Sequence, residues 1–224
     1  MRRFVRENGL SLFFFAIFAL ALLAQSFAGR NAYNAVQTEH GGAPVSWWSY
    51  VTSTDFGGSV MENWQSEFLQ FSLFILATIW LVQKGSNESK VLEEAGVESK
   101  ARQRIGRNAP ANGPRWAKLD DWRTRIYENS LLLAMAAIFF ATWCAQSLNN
   151  WREFNDGARQ HGGQPVGWVG YLGNADFWER TLENWQSEFL AVGTMVVFTI
   201  YLRQRGSPES KPVGAPHDET ASSG

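Results

Sequence analysis

The chain has 224 residues, 45% of them hydrophobic, with 20 Lys and Arg against 21 Asp and Glu and a single cysteine. A lone thiol, Cys144, excludes an internal disulfide framework and a cysteine zinc site. Balanced charge without a recognised basic module argues against nucleic acid as a partner.

The mildly negative mean hydropathy would suit a soluble protein, but it averages over sharply segregated segments. Arg2, Arg3 and Arg6 precede Leu10–Ala24 (LSLFFFAIFALALLA), an uncharged apolar run. With the small-x-small ending at Ser26–Ala28 this also matches a cleaved signal peptide. A related segment, Glu128–Ser147, is internal, where no cleavage is expected, so the reading is a retained transmembrane helix over about residues 9–28. Next, HGGAPVSW (His40–Trp47) marks a turn, because paired glycines relax the φ restriction. Pro44 suits the start of a short helix, and Trp47, Trp48 and Tyr50 suit a headgroup-level aromatic belt. Ser53 or Thr54 offers the N-cap of a second membrane helix, with Asp55 in its first turn and the core expected over about residues 60–83.

The linker, about residues 91–121, is polar, and NAPANGP (Asn108–Pro114) breaks any helix there. KVLEEAGVESKARQRI and WAKLDDWRTRIY have the pattern of short amphipathic helices, with a solvated connector as the plainer alternative. A third apolar segment, Leu131–Ala145, predicts a helix over about residues 129–149. HGGQPVGW (His161–Trp168) and Tyr171 follow, then Asn174 as an N-cap with Asp176 and Glu179 in the favourable first turns. The fourth helix is expected over about residues 181–204. The tail, residues 212–224, is rich in Pro, Ser and Gly and is expected to be disordered.

These elements recur. Shifted by 121 positions, Glu7–Lys90 aligns with Glu128–Lys211 without a gap, and roughly four in ten aligned residues are identical. ENWQSEFL is kept letter for letter at Glu62–Leu69 and Glu183–Leu190, and QxGSxESK closes both copies at Gln83–Lys90 and Gln204–Lys211. The expected fold is all-α and integral to the membrane: four transmembrane helices as two tandem repeats of parallel topology, with short external interfacial helices. The modules are residues 1–90 and 122–211. Sixteen of the twenty Lys and Arg precede the first helix, lie in the linker or follow the fourth. The positive-inside rule then places the N-terminus, linker and C-terminus in the cytoplasm of a multi-pass inner-membrane protein, with about residues 29–60 and 150–181 outside.

Within ENWQSEFL, Glu62 and Glu183 read as helix-start charges, Trp64 and Trp185 as interface anchors, and Asn63 shares a helix face with Glu67 as Asn184 does with Glu188. Glu67 and Glu188 are the odd residues, since a carboxylate so close to hydrocarbon normally faces a bundle interior, a cavity or a partner. Related by a pseudo-twofold axis they could converge, and with His40 and His161 could bind a cation or relay protons. In the alternative reading the glutamates complement helix N-termini and arginines, and the histidines hold turns. No HExxH, Walker loop, GxSxG or GxGxxG is present, so no catalytic residue or cofactor is expected.

On the octapeptide, the HGGxPV loop and GSxESK, the chain resembles an uncharacterised bacterial family of small integral membrane proteins, a domain of unknown function built from a duplicated module. The resemblance covers nearly all of the chain apart from linker and tail, and implies the membrane class but no activity or ligand. The leading expectation is a structural or interaction protein of the bacterial envelope, whose partners are the lipid bilayer and possible further copies or other membrane proteins. A small transporter or cation or proton module, which as a four-span protein would need a dimer, is the alternative. A membrane enzyme with an external His/carboxylate site ranks third.

Overall fold

A computed structural model describes residues 2–221, with Arg2 by its backbone alone. Every regular element among the described residues is helical, which makes the fold all-α: α1 (Arg2–Glu7), α2 (Gly9–Glu39), α3 (Trp47–Val51), α4 (Thr54–Trp80), α5 (Trp122–Glu128), α6 (Ser130–Gln160), α7 (Trp168–Tyr171) and α8 (Ala175–Tyr201). Two helices, α2 and α6, are long and apolar enough to cross a membrane. The other two long helices, α4 and α8, have 27 residues each and carry ENWQSEFL across their middles, which lowers their hydropathy.

Sequence accounts for where these helices stop. α2 and α6 run about fifteen residues past their apolar runs, because Ala, Gln and Arg sustain a helix until a breaker arrives. The breaker is HGG. Gly42 N–H donates to the Gln37 carbonyl at 2.7 Å and Gly41 N–H to Thr38, while Gly163 and Gly162 repeat the pattern on Ala158 and Arg159. This is a Schellman cap, and it requires the left-handed backbone that Gly41 (φ 75°) and Gly162 (φ 72°) adopt. At the other end, Asn8 and Asn129 interrupt the helix between α1 and α2 and between α5 and α6. Each turns its side-chain amide back onto a carbonyl four residues earlier, Phe4 at 2.9 Å and Arg125 at 2.8 Å.

The described chain divides into two compact units. The first contains the segment ending at Met61 together with Ala145–Leu172; the second contains Glu62–Cys144 and the chain from Gly173 on. In the first, the buried residues are Tyr50, Val60 and Tyr171 alongside Ser26, Gln146, Ser147, Asn150 and Asn155. In the second, Phe139, Phe177 and Ile200 are buried with Gln65, Ser66, Ser72, Thr142, Thr181 and Thr199. Along α6, Thr142, Gln146 and Asn150 make one buried polar stripe at four-residue spacing. Large apolar side chains instead cover the outside, including Phe13, Phe14 and Phe15 of α2, Phe140 of α6 and Phe198 of α8.

The linker holds three single turns of 3-10 helix, at Leu92–Glu94, Gly106–Asn108 and Trp116–Lys118, before α5. KVLEEAGVESKARQRI therefore does not form an amphipathic helix, and the plainer connector describes it better. Gly96, at φ 105°, breaks it, and its ends are tied instead by Lys90–Glu98, Arg102–Glu94 and Lys100–Asp120 ion pairs. WAKLDDWRTRIY becomes α-helical only from Trp122, after a capping box between Asp121 and Thr124. Over its described residues the tail has no helix and is met by two basic side chains, the last three residues of the chain lying outside the described range. Lys211 Nζ donates to the carbonyls of Pro216, His217 and Glu219, each at 3.0 Å, and Arg203 donates to those of Pro212 and Ala215. Composition rightly excludes regular structure there, but a buried ammonium that needs acceptors holds the segment down.

Candidate functional site

The two HGG loops form the same local structure. Asn34 clamps Val45 with both side-chain amide atoms, accepting from its N–H at 2.7 Å and donating to its carbonyl at 3.1 Å. Asn155 clamps Val166 at 2.8 and 2.9 Å. Trp47 then donates its indole N–H to Ser26 at 2.9 Å, and Trp168 does so to Ser147 at 3.1 Å. Under each loop a tyrosine is buried, Tyr50 and Tyr171. Gly29 is what lets the Tyr50 hydroxyl lie against α2, since a Cβ there would collide with it.

His40 and His161 line one cleft of about 490 Å³ in the first unit, with Gln37 and Gln160 beside them. In each ring Nδ1 lies 2.9 Å from a carbonyl of its own helix, Val36 and Gly157. A carbonyl only accepts, so Nδ1 carries the proton, and Nε2 is the lone-pair atom of the neutral ring. A second cleft of about 530 Å³ contains Tyr50, Asp55, Glu153 and Asp156. Burial, together with the charge and hydrogen bond of Asp55, pushes the Tyr50 phenol up to about 12.

The octapeptide copies sit in the second unit and differ. In the first copy Gln65 and Ser66 are buried; in the second, Gln186 and Ser187 are exposed. Gln65 Oε1 accepts the Trp185 indole N–H at 2.8 Å, while its amide donates to the Glu62 carbonyl at 3.1 Å. Trp185 in turn stands against Trp143 and Phe139. Arg180 bridges the Glu62 carboxylate at 3.3 Å and Asp176 at 3.4 Å, and Asp176 N–H is capped by Asn174 at 3.0 Å. Glu183 is exposed, and the Asn184 side chain bonds the Arg180 carbonyl. Asn63 is exposed and Trp64 half-buried. The Glu188 carboxyl has Glu67 as a like-charged neighbour and the Ser66 hydroxyl within hydrogen-bonding reach.

Thus His40 and His161 line one cleft in the first unit, and Glu67 is a charged neighbour of Glu188 in the second. Among the described residues no group of three His, Cys, Asp or Glu side chains could hold a metal ion.

Sequence reasoning passed over several residues that organise these places. Asn34 and Asn155 are identical across the 121-residue shift, so the alignment held a signal for them. Arg180 corresponds to Ser59 and carried no such signal. QxGSxESK was visible only as a landmark, yet it is a built loop. Ser89 Oγ accepts Gln83 N–H at 2.7 Å and donates to the Lys90 carbonyl, and Ser86 Oγ accepts Glu88 N–H. Ser210 and Ser207 make the same bonds around Glu209.

Neither a curated protein nor a solved structure matches the chain. A family model described as Domain of unknown function (DUF6766) matches residues 1–222, and the chain belongs to that family.

Proposed function

We propose that this chain is a four-span integral membrane protein of the bacterial inner membrane. In this reading two parallel copies of a two-helix module, related by a pseudo-twofold axis along the membrane normal, act as a structural or interaction element of the envelope. One observation carries the membrane assignment. Among the described residues, the fully buried side chains are mostly polar, while many Phe, Leu, Ile, Val and Trp side chains are exposed. In water this ordering would be reversed, because apolar burial drives folding. In a bilayer it is expected, since lipid solvates the apolar surface and helices associate through small and polar residues. Exposed apolar side chains on α4 (Phe71, Leu73, Leu76, Trp80) and α8 (Leu190, Val197, Phe198, Tyr201) support extending the assignment from α2 and α6 to all four long helices. The basic linker and termini support a cytoplasmic placement for them.

Membrane fractionation is the test. The protein should stay with the membranes through alkaline carbonate washing and leave them only in detergent. Recovery as a monodisperse protein without detergent would contradict the assignment. The interaction role predicts that purified protein alone neither transports nor transforms a solute.

A second reading, a proton or cation module, is favoured by the placement of Glu67 beside Glu188. Proton flux in vesicles lost in the E67Q/E188Q double variant would support it, and unchanged flux would remove it.

A further inference from the structure

Between α4 and α8, within the second unit, lies a cavity of about 280 Å³. Its walls are Gln70, Phe71 and Phe74 from α4, and Ala191, Val192, Met195 and Val196 from α8. Two further residues complete the lining, Glu88 and Glu209, the middle residues of the two GSxESK loops. No helix residue lining the cavity is titratable, so the only ionisable groups facing Glu88 and Glu209 there are each other. Glu88 also has the amide of its own neighbour Asn87 at 3.4 Å. The lysines of both loops are turned to other tasks, Lys90 to the Gly96 carbonyl and Glu98, and Lys211 to three carbonyls of the tail.

We infer that Glu88 and Glu209 form a proton-dependent latch that joins the two GSxESK loops across this cavity. Glu88 and Glu209 line the same cavity, within reach of a hydrogen bond between their carboxyls. Two carboxylates have only acceptor atoms, so that bond exists only while the pair holds a proton. Burial first, then the charge and hydrogen bond of Glu209, raise Glu88 above its ordinary value. When the proton leaves, an attractive contact becomes a repulsion between two charges, and both loops lose their tie at the cavity.

The sign follows. A raised folded-state value means that the folded state holds the proton over a pH range in which the unfolded chain has released it. The latch is fully made below the ordinary Glu value near 4.5 and is lost as pH rises through the raised one. Bound loops elsewhere limit how far each segment moves: Ser86 keeps its 3.0 Å hydroxyl contact with Thr199, and Gly85 its bond to Thr220.

Spin labels at Lys84→Cys and Arg205→Cys, both exposed, in the full chain with Cys144→Ser, test the latch by inter-label distance from about pH 4 to 9. The expected result is a short, narrow distance distribution in acid that broadens and lengthens as pH rises. E88Q keeps a donor for Glu209 without a titrating proton and should stay short throughout, and E209Q should behave alike. A pH-independent distance in the parent protein, or a pH response in E88Q equal to that of the parent, would overturn the latch.

Discussion

Two pairs of segments in this chain invert the usual relation between sequence and structure. The HGG loops differ at two of eight letters, Ala43 against Gln164 and Ser46 against Gly167, yet form the same Schellman turn, Asn clamp and Trp–Ser bond. The ENWQSEFL copies are identical, yet one buries its Gln and Ser and the other exposes them. The loops are held by bonds that begin and end inside one short stretch, so they tolerate divergence around them. The octapeptide is held by what faces it, and that has diverged. Arg180, which reaches Glu62, stands where the first copy has Ser59. Trp143, which stands against Trp185, stands where it has Leu22.

The largest expected effect breaks the octapeptide pair apart. Gln65→Ala removes the buried acceptor of the Trp185 indole and should cost roughly 2–3 kcal/mol in reversible unfolding in detergent. Gln186→Ala, the same substitution in the second copy, should fall within about 0.5 kcal/mol of the parent. Equal losses would mean the copies are used alike. The loops should answer oppositely: Asn34→Ala and Asn155→Ala should each cost about 1–2 kcal/mol, and by similar amounts. A smaller contrast separates Glu62→Gln, which weakens a half-buried pair with Arg180 and should cost up to about 1 kcal/mol, from the near-silent Glu183→Gln.

Tyr50 extends the contrast to pH. Its phenol is raised from 10.0 to about 12, so the folded state keeps a proton that the unfolded chain has already lost. Its contribution is therefore complete below about pH 10 and declines as pH rises toward 12. Tyr50→Phe should flatten the alkaline stability profile in that window, and an unchanged slope would show that Tyr50 is not the group responsible.

Much of this was readable in the residues. Apolar runs located the four long helices, HGG their turns, and Asn174 the cap of α8. The helix ends were less readable, because hydropathy reports where lipid is tolerated and not where the hydrogen-bond ladder stops. Asn34 clamps a valine that lies beyond the end of its own helix, so helix periodicity does not pair them. Arg180 gained its role from a partner 118 positions away, and Glu88 met Glu209 only because two loops fold back on one cavity. The tail shows the same limit: nothing in its composition announces that Lys211 will gather three of its carbonyls.

The central claim is that four helices cross a bilayer in two parallel modules, leaving both HGG loops on one side. The most direct measurement places single cysteines in the Cys144→Ser protein at Gly41, Gly162 and Ala111 and labels intact cells with an impermeant maleimide. The account predicts labelling at both loop positions from outside and at Ala111 only after permeabilisation. Labelling of the two loops from opposite sides, or of Ala111 in intact cells, would contradict it.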